Sequence, residues 1–231
     1  MSTDTEPSTS TVARSQTEPH DHADRAGLMA PRDERTPTER RVIRDGTAHL
    51  ARTRDALEAL EADLDDLQNW ASHLARSLTS GGRLLVAGNG GSAAEAQHLT
   101  AELVGRYDGE RRPLSALALH AETSTLTALA NDYGIEELFA RQVRAHGRTG
   151  DTLLCLSTSG SSPNLLAAVV AADDLGLHTL ALTGPVPNRL ASASQVAIPI
   201  SASTTAAIQE AQLVAIHVLC SMIDAHPAVA S

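Results

Sequence analysis

Apolar positions along the chain follow two rhythms. From Thr38 onward, Val42, Ile43, Leu50, Leu57, Leu60, Leu64, Leu67, Trp70, Leu74 and Leu78 recur at mostly three- and four-residue steps until Ser80-Gly81-Gly82, the spacing of helices that bury one face. Two helices are predicted here, breaking near residues 62–66. Then the rhythm changes. Residues 84–87 are a short run, apolar on both faces and ended by glycine, as in a strand covered from both sides. Short runs recur at 114–119, 151–156, 178–182 and 195–200, with helical patterns at 123–130, 136–146, 163–175 and 205–225 and a turn at 131–134. In the helix over 163–175, Leu165, Leu166, Val169 and Val170 are expected to face inward. Alternating units of this length predict a doubly wound α/β domain with a parallel five-stranded sheet. The two leading helices are extra to it and are candidates for a subunit interface.

Residues 1–36 carry few apolar positions among Ser, Thr, Pro, Asp, Glu and Arg, which predicts a disordered tail ahead of a domain spanning 37–226. His20 and His22 in that tail make a poor metal site. A net charge of −10 and only 2% aromatic residues argue against a nucleic-acid partner, which needs basic surface and stacking platforms. The N-terminal stretch has no apolar core of a leader, and no later run reads as a membrane span, so a cytoplasmic protein with no membrane partner is expected. Cys155 and Cys220 lie in apolar settings and read as buried thiols. All eighteen basic residues are arginine. Without lysine there is no Schiff-base nucleophile, pyridoxal anchor or Walker-type phosphate ligand, and acid–base work falls to His, Glu, Asp, Tyr or Cys.

Candidate chemistry begins where the first strand ends. Gly88-Asn89-Gly90-Gly91-Ser92 gives a turn open to positive φ, followed by a helix whose free N–H groups and dipole favour an anion. Gly88, Gly90 and Ala93 also satisfy a dinucleotide fingerprint, but Glu122 lies too far along to serve as the ribose acid. A second loop of hydroxyls, Ser157-Thr158-Ser159-Gly160-Ser161-Ser162, follows the third strand. Two such loops suit one phosphate monoester better than a dinucleotide. His98 and Glu102, at i and i+4, share one face of the helix that carries the first loop. In the blander alternative they are a surface pair, and His217, among Leu213, Ile216 and Cys220, is a packed core histidine. Glu110-Arg111-Arg112 reads as a solvated turn, and Arg106 as either a phosphate ligand or a surface charge.

GNGGSAAEAQHLTAELVGRY, ALANDYG, GDTLLCLSTSGSSPN and IQEAQLVAIHVLC, in this order, resemble the phosphoheptose isomerases of the sugar isomerase (SIS) superfamily. The resemblance runs from about Thr38 to Asp224 and implies a flavodoxin-like SIS fold. It implies conversion of sedoheptulose 7-phosphate to a heptose 7-phosphate through an enediol, with no organic cofactor, by a homotetramer with active sites at subunit interfaces. On it, Asn89, Gly90, Gly91, Ser92, Asn131, Asp132, Ser157, Thr158, Ser159, Ser162 and Gln209 contact the substrate. Glu102 is the general base and His217 its acid/base partner. His98, Glu102, Gln209 and His217 match a zinc site found in some members. The chain departs from the family at Glu95, Ser161, the 185–188 loop, Ala206-Ala207 and Gln212. An alternative from another class is a non-catalytic SIS regulator, which lacks the Glu and His pair. Another is an isomerase of a different sugar phosphate.

Overall fold

The computed structural model describes residues 35–230; the tail expected over 1–36 falls, but for its last two positions, outside the described residues. Helix α1 (Pro37–Leu60) opens on a capping box, because the Thr36 hydroxyl accepts from the Glu39 N–H (3.2 Å) and the Glu39 carboxylate from the Thr36 N–H (2.6 Å), with proline at the first helical position. From Arg41 on the chain forms the unit that holds the sheet. A single 3-10 turn (Glu61–Asp63) separates α1 from α2 (Leu64–Thr79), at the predicted break. Helix α2 buries Leu67, Trp70, Leu74 and Leu78, whereas α1 buries only Ala56 and Leu60.

The remaining elements alternate as expected: β1 (Leu84–Gly88), α3 (Gly91–Val104), β2 (Ala116–Ala118), α4 (Thr123–Tyr133), α5 (Leu138–His146), β3 (Thr152–Ser157), α6 (Pro163–Asp174), β4 (His178–Thr183), α7 (Arg189–Ala193), β5 (Val196–Pro199) and α8 (Thr205–Asp224). The sheet is five-stranded and wholly parallel in the order β2-β1-β3-β4-β5. Because side chains alternate across a strand, Leu84, Val86, Leu154 and Leu156 enter one core beneath α2, α3 and α8, while Leu85, Ala87, Leu153 and Cys155 enter the other beneath α5 and α6. The connection after β1 runs to β2 on one side and that after β3 to β4 on the other, so the sheet's switch point lies between β1 and β3, where open α/β sheets place their ligands.

Four details differ from the pattern-based expectation. Glu122 caps α4 by accepting from the Ser124 and Thr125 N–H groups (3.2 and 2.5 Å); the helix then runs on through Asn131, Asp132 and Tyr133 before Gly134, at φ +84°, ends it. Strand β2 is only three residues long, as suits an edge strand with one neighbour. Val170 points outward, whereas Leu165 and Val169 are buried, because α6 is covered on one face only. Finally, α8 is long and apolar enough to cross a membrane, with a mean hydropathy of 1.5, yet half of that stretch is buried inside the fold. It is apolar because it packs on both α2 and α3. His49 and Thr53 of α1 hold it too, through the carboxylate of Glu210 (2.7 and 2.5 Å).

The lower edge of the sheet turns on Asp151, which accepts from the Arg83 N–H (2.8 Å), the Arg148 N–H (2.9 Å) and the Arg83 guanidinium (2.9 Å). It is almost wholly buried. Asp151→Ala is expected to lose about 3 kcal/mol, the usual result of breaking one side of a buried ion pair. Urea unfolding of the two proteins measures it, and a loss below about 1 kcal/mol would place the pair among solvent-screened ones.

Candidate active site

At the switch point the two loops face each other. Gly90, at φ +58°, turns β1 into α3. The first bonds of the helix are Ser92 N–H to Asn89 and Ala93 N–H to Gly90, so the N–H groups of Gly90 and Gly91 precede the ladder. Opposite, Ser157 Oγ accepts from the Gly160 N–H (3.1 Å) and folds the hydroxyl loop back on itself, and Pro163 starts α6. Asn89 and Asn164 exchange amide hydrogen bonds in both directions (3.0 and 2.9 Å), which staples the first loop to the first turn of α6. Asn89, Ser92, Ser157, Thr158, Ser159, Ser162 and Gln209 line a cavity of about 110 Å³ between the loops. Among the described residues no charged side chain lines it. The cavity is the size of a phosphate group and well short of a sugar phosphate, since whole-ligand sites run to several hundred Å³.

Gln209 reaches this cavity from α8 because Gly91 has no side chain: a Cβ there would collide with the Gln209 amide. Likewise a Cβ on Gly184 would strike the Thr158 carbonyl, and one on Gly160 would strike the Asn188 amide. Asn188 also caps α7 (2.8 Å to the Ala191 N–H) and donates to Thr183 Oγ1 (3.0 Å), so the hydroxyl loop leans on a fixed amide.

Two turns along α8 from Gln209 stands His217. Its Nε2 lies 2.8 Å from His98 Nε2 on α3, a direct imidazole–imidazole hydrogen bond, and His98 Nε2 is 3.4 Å from Glu102 Oε1. Tyr107 stacks on His217 at 5.7 Å. His217 is therefore neither a packed core residue nor an isolated one. The structure brings together His98, Glu102 and His217 at one end of the α3–α8 pair and Gln209 with both loops at the other. Asn131 and Asp132 are exposed on the last turn of α4, bonded to each other (2.8 Å) and outside the cavity lining.

Gln209 and His217 thus face different parts of the site, as expected for positions about 12 Å apart along a helix axis. Tetrahedral zinc holds neighbouring nitrogens about 3.3 Å apart, whereas His98 and His217 bind each other directly at 2.8 Å. Among the described residues no group of three or more His, Cys, Asp or Glu side chains is arranged to hold a metal ion. As arranged, these four side chains do not fit zinc.

Residues 48–184 match the SIS domain family. The chain belongs to that family. It is 56% identical over 177 residues to a phosphoheptose isomerase of Streptomyces coelicolor, covering 77% of each protein. Among solved structures, it is similar to a phosphoheptose isomerase from Francisella tularensis (TM-score 0.74, 34% identity, 83% of this chain and 100% of that one). A phosphoheptose isomerase from Neisseria gonorrhoeae gives a TM-score of 0.72 at 38% identity, covering 82% of this chain and 100% of that one.

Within this SIS domain, three residues have a place that their sequence context did not announce. Asn164 is the strut between the loops; an Asn directly after Ser-Pro at a helix start is the one local signal of it. Arg111, expected on a solvated turn, has a side chain only 4% exposed and bonded to the end of α3, because the loop folds it back under the helix. Arg106, by contrast, is an exposed surface charge, one of its two expected readings, and donates to the Asp108 carbonyl (2.8 Å). Glu95 is the third, on the same stripe of α3 as His98 and Glu102. It is 8% exposed, its Oε2 has no hydrogen-bond partner among the described residues, and burial pushes its carboxyl up from 4.5 to about 7. A carboxyl with a raised native value favours folding while protonated and opposes it once ionised, so this stability is lost between about pH 4.5 and 7. Glu95→Gln is expected to match the parent's melting temperature near pH 4 and to exceed it at pH 8. Equal melting temperatures at pH 8 would show that the carboxylate finds a partner.

Proposed function

We infer that this chain is a phosphoheptose isomerase, converting sedoheptulose 7-phosphate to a heptose 7-phosphate. The observation that carries this reading is the division of the α3–α8 pair into two ends: a neutral phosphate-sized cavity at Gly91 and Gln209, and a carboxylate with two hydrogen-bonded imidazoles at Glu102, His98 and His217. The separation suits a long open-chain sugar phosphate whose reacting carbons lie far from its phosphate. Asn89, Gly90, Gly91, Ser92, Ser157, Thr158, Ser159, Ser162 and Gln209 hold the phosphate end, with Asn131 and Asp132 meeting the sugar of a neighbouring site. In a regulator of the same fold the acid–base end would have no use.

The Glu102 carboxylate removes a proton from C1 of the ketose as the C2 carbonyl oxygen takes one from His217, which leaves a cis-enediol. The O1 proton then returns to His217 while Glu102 delivers its proton to C2, closing the aldehyde at C1. Protons balance without any external acceptor. The His98–His217 bond fixes which ring nitrogen faces the substrate. Carbon-bound protons need a positioned base, and such groups typically contribute 10²–10⁴ in rate. Glu102→Gln is therefore expected to keep sugar-phosphate binding and to lower kcat about 100-fold or more; turnover near the parent's would remove Glu102 from the reaction. His217→Gln is expected to lower kcat similarly and to change the pH–rate profile, and an unchanged profile would demote it to packing.

The domain is taken as 37–226, in a cytoplasmic homotetramer whose sites lie between subunits. Val42, Ile43 and Leu50 on α1, with Ile135 after α4, are exposed large apolar residues, which supports association. The free, buried Cys155 and Cys220 suit a reducing compartment. Zinc on His98, Glu102, Gln209 and His217 would require the imidazoles to part and Gln209 to leave Gly91, so its affinity is modest. Native mass spectrometry with metal analysis is expected to show a tetramer whose zinc is sub-stoichiometric and removed by chelation. A fully active monomer would overturn the assembly, and stoichiometric zinc that survives chelation would overturn the weak site.

A further inference from the structure

Helices α3 and α8 end on one side chain. The Arg111 guanidinium donates from Nη2 to the carbonyl of Glu102 itself (2.7 Å) and from Nη1 to that of Leu103 (2.8 Å), with longer bonds to Gly105 (3.2 Å) and Arg112 (3.1 Å). Its Nε donates to Asp224 Oδ1 (2.8 Å), and Asp224 is the last residue of α8. The Glu102 and Leu103 carbonyls belong to the last turn of α3, where no partner exists within the helix. Two negative helix poles and a carboxylate therefore converge on one cation.

An aspartate at the C-terminus of a helix opposes the dipole, and the second oxygen of Asp224 is buried with no hydrogen-bond partner among the described residues. Neither feature favours stability in isolation. Both make sense if the Arg111 contact is what the position serves. Cys220, one turn before Asp224, is buried, and its thiol is pushed up to about 12 by burial first and then by the charges of Glu102 and Asp224. The Glu102 carboxylate thus lies within electrostatic reach of the same cluster. His217 is seven residues before Asp224 and shares its face of α8.

We propose that Arg111, paired with Asp224, is a positioning residue of the isomerase site, setting the α3–α8 spacing at which Glu102 and the His98–His217 pair face one substrate. The proposal rests on the isomerase reading above. Lysine cannot substitute: it carries the charge but lacks the planar fork that reaches acceptors on two helices at once. The phosphate cavity lies at the opposite end of α3 and does not depend on the clamp.

Arg111→Lys is expected to lower kcat on sedoheptulose 7-phosphate about 100-fold while leaving KM within about threefold, because a displacement near 1 Å at the reacting atoms has that effect. Asp224→Asn keeps the shape and one acceptor, loses the charge and is expected to lower kcat about tenfold. At fixed pH, nitrogen-15 histidine spectra are expected to show coupling across the His98–His217 bond in the parent and its loss in Arg111→Lys. A kcat within about twofold of the parent in either folded variant would overturn the clamp, given the scale expected of misplacement. So would a loss confined to KM, or a lowered kcat with the histidine coupling intact. Should Arg111→Lys fail to fold, Asp224→Asn decides by the same readings. Should the parent turn over no seven-carbon sugar phosphate, the isomerase reading fails, while unchanged coupling in the variants would separately overturn the clamp.

Discussion

The closeness of α8 to α3 is the constraint on which the site depends. Gly91 admits the Gln209 amide only because it has no Cβ, and His98 and His217 can share a proton only if the same two helices stay within reach further along. Each helix supplies one member to each end. A shift of either helix as a whole would therefore disturb the Gly91–Gln209 contact and the His98–His217 bond together, and the apolar residues of α8 that pack on α2 and α3, with Glu210 tied to α1, hold it against such a shift. Core packing and chemistry here are one problem.

The sheet and its loops are legible in the sequence because their signals are local. A run apolar on both faces, ended by glycine, specifies β1 whatever surrounds it, and Ser-Pro after a hydroxyl loop specifies the start of α6. Glu102 and His98 can be paired from spacing alone, since four residues make a helical turn. What cannot be read this way depends on contacts distant in sequence. Arg111 looks solvated because charged neighbours flank it, and only the fold of the loop beneath α3 buries it. The Asn89–Asn164 exchange spans 75 residues. The end of α4 departs from its pattern for a different reason: Asn-Asp-Tyr-Gly carries strong turn propensity, but the Glu122 cap and the final Gly134 let the helix run through it.

Gln209 and His217 show how residues that a resemblance groups together can stand apart along one helix. Resemblance joins them with His98 and Glu102 around one ion, yet eight residues of helix place them at different ends of the site. Their separation follows from their spacing in the chain and the rise of a helix. Gln209 stands in the second turn of α8, at the cavity between the loops, and His217 in the fourth, against His98.

The cavity between the two loops is built from amides, hydroxyls and backbone N–H groups, with no cation among its described lining residues, inside a chain of net charge −10. Such a cradle acts through fixed dipoles, whose influence fades within a helical turn. It would therefore draw no anion from a distance, and a net charge of −10 opposes the approach of one. Salt would act on the two parts differently: the contact dipoles offer no guanidinium or ammonium for chloride or sulfate to screen, whereas the repulsion from the chain's net charge weakens as ionic strength rises. An anion seated there would arrive faster as salt rises, while its retention would change little.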